Sequence, residues 1–122
     1  MITGIVSSDR EAVVVVQVRG SDGFEEPVNT ILDTGFNGFL TLPTSLISRL
    51  GFSFAGTTRA MLGDGNEVQL DVFEATILWD GQERTVITLA AEGGALVGMS
   101  LLAGYRVTMD VEDEGSVLIE AL

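Results

Sequence analysis

At four positions in this chain, a glycine beside an acidic or amide residue separates two runs of apolar or β-branched residues. Such pairs adopt positive φ angles readily and favour the tight turns that join antiparallel strands. Short strands at hairpin spacing, with little helix between them, are typical of small barrels and sandwiches. The sequence therefore predicts an all-β fold. The four turn signals are Asp22-Gly23, Gly63-Asp64-Gly65-Asn66, Asp80-Gly81 and Glu114-Gly115.

Eight segments between these turns are predicted to be strands. Polar and apolar residues alternate most clearly in residues 68–72 and 105–109, which indicates one wet face and one buried face. Residues 12–16 are apolar on both faces, so this segment is predicted to lie in the middle of the structure. The predicted strands cover residues 2–7, 11–19, 28–32, 57–62, 67–78, 84–90, 105–111 and 116–119.

Two short segments have the features of helices instead. Pro43 suits the first turn of a helix, and Gly51 follows its predicted end. A second segment, residues 99–103, is long enough for about one turn before Gly104. The fold is thus expected to contain one or two short helices. The apolar residues that line one face of the first helix are Leu46, Ile47 and Leu50.

The composition removes several classes of function. The 122 residues suit one domain, residues 1–122, and they contain neither His nor Cys. A zinc site of the usual kind, a Ser-His-Asp or Cys-His nucleophile, a haem ligand and a disulfide are therefore excluded. We expect no metal and no cofactor.

The charge and hydropathy of the chain limit the kinds of partner that it can have. Eighteen acidic residues against six Arg give a formal net charge of −12, which disfavours nucleic acid and favours a neutral or basic peptide. No apolar stretch approaches the roughly 18 residues of a membrane span. The start of the sequence lacks the charged and apolar segments of a signal peptide, so a cytoplasmic location is expected.

One tripeptide, Asp33-Thr34-Gly35, directly follows a predicted strand that ends at Leu32. Burying a carboxylate at the end of a strand costs free energy unless the carboxylate is hydrogen-bonded, so such a group often has a function. Thr34 can fix the loop by bonding to backbone, and Gly35 lets backbone approach closely while its N–H remains free to bond the carboxylate. The simpler interpretation is that Asp33 is an ordinary turn residue that bonds its own backbone two positions on.

A calcium loop is a further alternative for the same segment. Asp33, Asn37 and Gly38 occupy the first, fifth and sixth positions of such a loop. The third position is Gly35, and the twelfth is Thr44 instead of Glu, so too few ligands remain.

The surroundings of the tripeptide favour a catalytic role. A glycine-rich hairpin tip follows it, and further along Ala95-Leu96-Val97-Gly98-Met99 leads into the second predicted helix. In this order of motifs the chain resembles the retropepsin-like (retroviral-type, clan AA) aspartic proteases, from about Ile2 to Ile119. It is most similar to small stand-alone bacterial members, which share Phe36, Leu40 through Pro43 and Leu50-Gly51 with it. The resemblance implies a small closed barrel of the acid-protease type, one lobe per chain.

The resemblance also implies half of a catalytic site in each chain. These enzymes use two carboxylates that share one proton, one acting as general base on water and the other as general acid toward the peptide carbonyl. One Asp-Thr-Gly is present, so the implied enzyme is a homodimeric aspartic endopeptidase in which Asp33 meets Asp33 of a second copy. The alternatives are a dimeric peptide-binding or regulatory module that does not cleave, and a purely structural barrel.

Other roles follow from the resemblance residue by residue. Thr34 would hydrogen-bond the loop of the other chain, Gly35 would shape the Asp33 loop, and Gly98 would lie beside that loop. Phe36, Leu62 and Leu96 are candidate substrate-pocket residues, although plain core packing explains each of them equally well. Met99 and Ser100 stand where the retroviral members have Arg and Asn. The flap that closes over the peptide would comprise Met61, Leu62, Gly63, Asp64, Gly65, Asn66 and Glu67.

Overall fold

The computed structural model of the chain describes residues 1–61 and 64–122, and within these it contains ten strands and two short helices. In chain order the elements are β1 (Ile2–Val6), β2 (Ala12–Arg19), β3 (Glu25–Leu32), β4 (Leu40–Leu42), α1 (Thr44–Leu50), β5 (Ser53–Met61), β6 (Glu67–Trp79), β7 (Gln82–Ala90), β8 (Ala95–Val97), α2 (Met99–Leu102), β9 (Tyr105–Met109) and β10 (Ser116–Ala121).

Six of these strands form a closed barrel. They follow one another in the order β6, β7, β4, β8, β3 and β2, and the ring closes where β2 pairs with β6 at Val18 and Ile77. On one side β5 pairs with β6 as a long hairpin, and on the other β1, β10 and β9 continue the sheet outward from β2. The predicted all-β barrel of the acid-protease type, with one lobe per chain, is confirmed.

Alternate side chains of the strands point into this barrel and form the hydrophobic core. In β2, Val14, Val16 and Val18 are buried, as the period of two along a strand requires. The same interior holds the side chains of Leu40, Leu42, Ile77, Trp79, Val97, Leu101 and Ile119.

The prediction that residues 12–16 lie in the middle of the structure is only partly right. β2 does pair with β1, β3 and β6, but Val15 on its other face is 51% exposed. The reason is that alternate residues of β2 point to opposite faces of the barrel wall, so Val14 and Val16 face the core while Val15 faces outward. Ile5 is exposed on the same surface.

Local turn and helix signals were reliable guides. Asp80 and Gly81 both adopt positive φ, 53° and 77°, in the two-residue turn that joins β6 to β7. Helix α1 buries its predicted apolar face and ends at Gly51, whose φ is 71° and whose N–H donates to the carbonyl of Ile47. Helix α2 is a single turn, close to the predicted residues 99–103.

The short strands β4 and β8 are absent from the predicted set. Each has three residues, too few for a periodic pattern, although β8 lies where the resemblance places an apolar strand before a glycine. Their pairing is also not that of hairpins: β3 with β8 and β4 with β7 are parallel pairs. Predicted boundaries shift too, since β3 begins at Glu25, β5 begins at Ser53 and β9 ends at Met109. Neither helix of the described residues is long and apolar enough to cross a membrane.

Candidate active site

The parallel pairing of β3 with β8 brings the two sequence motifs together. The two strands end at the same edge of the sheet, with Leu32 opposite Val97, so the segments that follow them leave side by side. The N–H of Asp33 donates to the carbonyl of Val97 at 2.9 Å and extends this ladder by one residue. Asp33 is therefore positioned by backbone contacts with a segment far away in sequence.

The Asp33 carboxylate is held by its own loop. Gly35 N–H donates to Asp33 Oδ1 at 2.9 Å, and Phe36 N–H donates to the Asp33 carbonyl at 3.2 Å. Asp33 is half-buried, whereas Thr34 and Gly35 are exposed. The contact between Gly35 and the carboxylate is that of an Asx turn. It is expected both if Asp33 is catalytic and if Asp33 is an ordinary turn residue. The loop therefore fixes the carboxylate at the surface, at one end of the barrel.

Gly98 lies beside this loop without a side chain. A β-carbon there would come within 2.8 Å of the Phe36 carbonyl oxygen and closer still to that of Gly38. Backbone hydrogen bonds tie the two segments together. They run from the N–H of Gly98 to the Phe39 carbonyl (3.0 Å), from Met99 to Phe36 (2.8 Å) and from Ser100 to Gly38 (3.1 Å).

Ser100 contributes a contact that the sequence analysis did not identify. Its hydroxyl donates to the carbonyl of Asn37 at the far side of the Asp33 loop. The sequence contained one sign that this position could contact the loop: Ser100 stands where the retroviral members have a longer polar residue. A short hydroxyl at the start of α2 is the residue that can reach back to the loop.

The β5–β6 hairpin reaches out from the barrel toward the same end. Its ladder runs as far as the pair Met61 and Glu67, while Leu62 and Gly63 lie outside the described residues. In the turn, Asp64 accepts hydrogen bonds from the backbone and side-chain amide of Asn66, each at 3.0 Å. These donors, the backbone N–H first, hold the pKa of Asp64 below its usual value.

A cleft of about 540 Å³ separates this hairpin from the Asp33 loop. Phe36 and Met61 line it from opposite sides, and Ile87 and Leu89 of β7 line it from the barrel. Leu96 is not among its lining residues: it lies in β8, and its N–H donates to Thr41 Oγ1 at 3.0 Å. The cleft is mainly apolar, with Arg59 as its charged residue.

A second groove, of about 450 Å³, begins on the other side of the loop at Thr34. Leu32 and Met99 line it near the loop, and side chains of β9 line it further away. The Asp33 loop therefore stands between two grooves. Among the described residues, no group of three or more Asp and Glu side chains is arranged to hold a metal ion.

Comparison with known proteins supports the fold. The chain resembles the EIAV protease in complex with the inhibitor HBY-793 (TM-score 0.58, 22% identity, 78% of this chain and 88% of that one). It also resembles a retropepsin-like aspartic protease from Rickettsia conorii (TM-score 0.59, 14% identity, 99% of this chain and 90% of that one). No protein-family model and no curated protein matches the sequence. The chain has a retropepsin-like fold.

Proposed function

We propose that this protein is an aspartic endopeptidase that is active as a homodimer and hydrolyses extended peptides through Asp33 of each chain and a bound water. The observation that carries the proposal is the position of Asp33. Its carboxylate is fixed at the end of a parallel strand pair, in a loop that packs against Gly98, and the fold is shared with two aspartic proteases. A cytoplasmic location is part of the proposal, and the absence of cysteine fits a reducing cytosol.

The dimer follows from the chemistry. Two carboxylates about 3 Å apart share one proton, because both cannot be ionised at that distance. The ionised Asp33 takes a proton from water as the water oxygen attacks the peptide carbonyl carbon, while the protonated Asp33 of the other copy donates its proton to the carbonyl oxygen. Collapse of the resulting tetrahedral intermediate breaks the C–N bond: the protonated Asp33 gives its proton to the leaving amine, and the ionised Asp33 takes the proton of one hydroxyl, which restores the shared proton.

The substrate would occupy the cleft between the Asp33 loop and the β5–β6 hairpin. An extended peptide would lie there with its apolar side chains against Phe36 and Met61. The hairpin tip, including Leu62 and Gly63, would act as the flap that excludes water. Thr34 would contact the loop of the second copy.

The test is Asp33→Asn with a matched control. Asp22 forms the same type of turn, accepting from Phe24 N–H at 3.0 Å, but it lies in the β2–β3 loop. We expect Asp33→Asn to lower cleavage of a fluorogenic peptide library by about 10²–10⁴-fold and Asp22→Asn to leave it unchanged. Equal cleavage by Asp33→Asn and wild type would overturn the proposal. Peptide binding without cleavage by the wild type, across acidic and neutral pH, would favour the binding module.

A further inference from the structure

Among the described residues, Arg59 of β5 is the only charged residue that lines the cleft between the β5–β6 hairpin and the Asp33 loop. The rest of the lining consists of glycines, apolar side chains and the uncharged polar residues Asn37 and Thr58. The Arg59 side chain is 82% exposed, so it is open to contact from a bound molecule. A guanidinium presents a planar set of N–H donors that matches the two oxygens of a carboxylate. A carboxylate that enters this cleft therefore has one group with which it can form an ion pair.

The position of Arg59 along β5 relates it to the apolar part of the cleft. Arg59 and Met61 are two residues apart on one strand, so their side chains lie on the same face of the hairpin. Their α-carbons are about 7 Å apart along the strand. Met61 lines the cleft opposite Phe36. A peptide strand that lies along β5 with one side chain against Met61 therefore brings a neighbouring side chain of the same face to Arg59.

The carboxylates of the hairpin itself leave the charge of Arg59 available. Glu67 and Asp71 lie diagonally across the ladder from Arg59. In the part of the chain that the structure describes, Arg59 pairs with Glu67 alone, and the distance from Nη1 to Oε2 is 4.0 Å. Arg49, by contrast, donates to both carboxylate oxygens of Glu26 at 2.7 and 2.9 Å. The contact of Arg59 is too long for a hydrogen bond, so a peptide carboxylate can replace it.

We propose that Arg59 determines part of the substrate specificity, by selecting peptides with a Glu or Asp side chain at the position that faces it. The inference rests on the proposed endopeptidase and specifies its substrate. In the proposed homodimer the second copy supplies a second Arg59, related to the first by the two-fold axis. The preferred peptide then carries an acidic side chain at one position on each side of the bond that is cut.

The net charge of the chain restricts this preference to particular positions of the peptide. A formal charge of −12 repels an acidic peptide as a whole, and this repulsion acts over about 8–10 Å at moderate salt. The ion pair with Arg59 acts only at hydrogen-bonding distance. The two effects therefore favour a peptide that is neutral or basic overall and has a carboxylate only where it meets Arg59.

Peptide libraries with one position fixed as Glu, Gln or Lys test the preference. Gln has the shape of Glu without its charge, and mass spectrometry of the products aligns the peptides on the bond that is cut. We expect the wild type to cleave Glu peptides with a kcat/KM about fivefold above that of Gln peptides, at one position on each side of the bond. At the remaining positions Glu should be no better than Gln. Equal kcat/KM for Glu and Gln at every position overturns the inference.

Variants of Arg59 assign the preference to this side chain. Arg59→Gln should make the two kcat/KM values equal at the selected positions, and Arg59→Glu should reverse the preference, so that Lys peptides are cleaved better than Gln peptides there. Arg10→Glu makes the same change of net charge at an exposed residue of the β1–β2 turn and should keep the preference for Glu. A preference that survives Arg59→Gln, or that Arg10→Glu removes equally well, overturns the inference.

The two proposals fail in different ways, because fluorescence anisotropy measures binding of the same labelled peptides without cleavage. A wild type that cleaves through Asp33 but does not distinguish Glu from Gln overturns the role of Arg59 and leaves the enzyme. A wild type that never cleaves, but binds Glu peptides about fivefold more tightly than Gln peptides through Arg59, overturns the enzyme and leaves the selection. A wild type that neither binds nor cleaves any of the peptides overturns both.

Discussion

The α-carbon of Gly98 faces the carbonyl oxygen of Phe36 so closely that a β-carbon there would lie 2.8 Å from it. The N–H of Met99 donates to that same oxygen at 2.8 Å. The Asp33 loop and the start of α2 are therefore in backbone contact, and neither can move away without breaking this hydrogen bond. A side chain between them has no space.

Replacement of Gly98 by alanine should for this reason destabilise the whole protein. We expect Gly98→Ala to lower the free energy of unfolding by about 1–3 kcal/mol, measured by thermal or urea denaturation. The matched control is Gly94→Ala, where the nearest atom to a new β-carbon is Ile31 Cδ1 at 3.8 Å. That variant should change stability by less than about 0.5 kcal/mol. Equal stability of Gly98→Ala and wild type would contradict the close approach.

Met61 should contribute to peptide binding more than to folding. Its side chain is 71% exposed and lines the cleft opposite Phe36. Because a bound peptide would bury this surface, Met61→Ala should raise KM by about tenfold with little change in Tm. Phe24, 74% exposed in the β2–β3 loop, is the control, and Phe24→Ala should leave KM unchanged. If both variants have the wild-type KM, the peptide does not lie in this cleft.

The ion pair between Glu26 of β3 and Arg49 of α1 should make stability depend on pH. The guanidinium donates to both carboxylate oxygens, at 2.7 and 2.9 Å, and holds the pKa of Glu26 below its ordinary 4.5. Since the folded-state pKa is the lower one, the pair stabilises the folded chain above pH 4.5, and this contribution is lost as the pH falls through the lowered value.

Thermal denaturation at several pH values measures this effect. Glu26→Gln should have a lower Tm than wild type at neutral pH, and the difference should disappear in acid. Glu112→Gln makes the same change of net charge at an exposed carboxylate that forms no ion pair in the described residues, and it should show no such pH dependence. A Tm difference for Glu26→Gln that persists unchanged in acid would rule out the ion pair as its cause.

The net charge should make dimer formation stronger at high ionic strength. Each chain carries a formal charge of −12, so two copies repel each other over the whole molecule. Between about 10 mM and about 1 M salt the screening length falls from roughly 30 Å to roughly 3 Å. Sedimentation equilibrium should give a lower dissociation constant at the higher salt. The tightest dimer at the lowest salt would show that local ion pairs outweigh the net repulsion.

The sequence predicted those parts of the fold that local chemistry determines. The Asp80-Gly81 turn and the capped helix α1 carry their signals within a few residues, so both were found. Strands β4 and β8 were missed because a three-residue strand has no period to detect. Their parallel pairing depends on the closure of the barrel, which no local pattern encodes.

The same distinction applies to the candidate site. Asp33 and Gly35 could be named because a carboxylate close to a glycine at the end of a strand is visible in the sequence, and Gly98 because of the resemblance to the retropepsin-like proteases. Ile87 and Leu89 were not named, since they lie on the outer face of β7 and no local pattern shows that this face lines a cleft with the β5–β6 hairpin. The Ser100 contact with the Asp33 loop depends on the parallel strands as well.

The hydrogen bond from Asp33 to Val97 joins two residues separated by about half of the chain. A ribosome-bound nascent chain cannot form it before β8 has been synthesised and has left the exit tunnel. Until then Asp33 belongs to an unanchored turn, because the segment that fixes it does not yet exist in folded form. The proposed endopeptidase would therefore acquire its Asp33 site only late in biosynthesis.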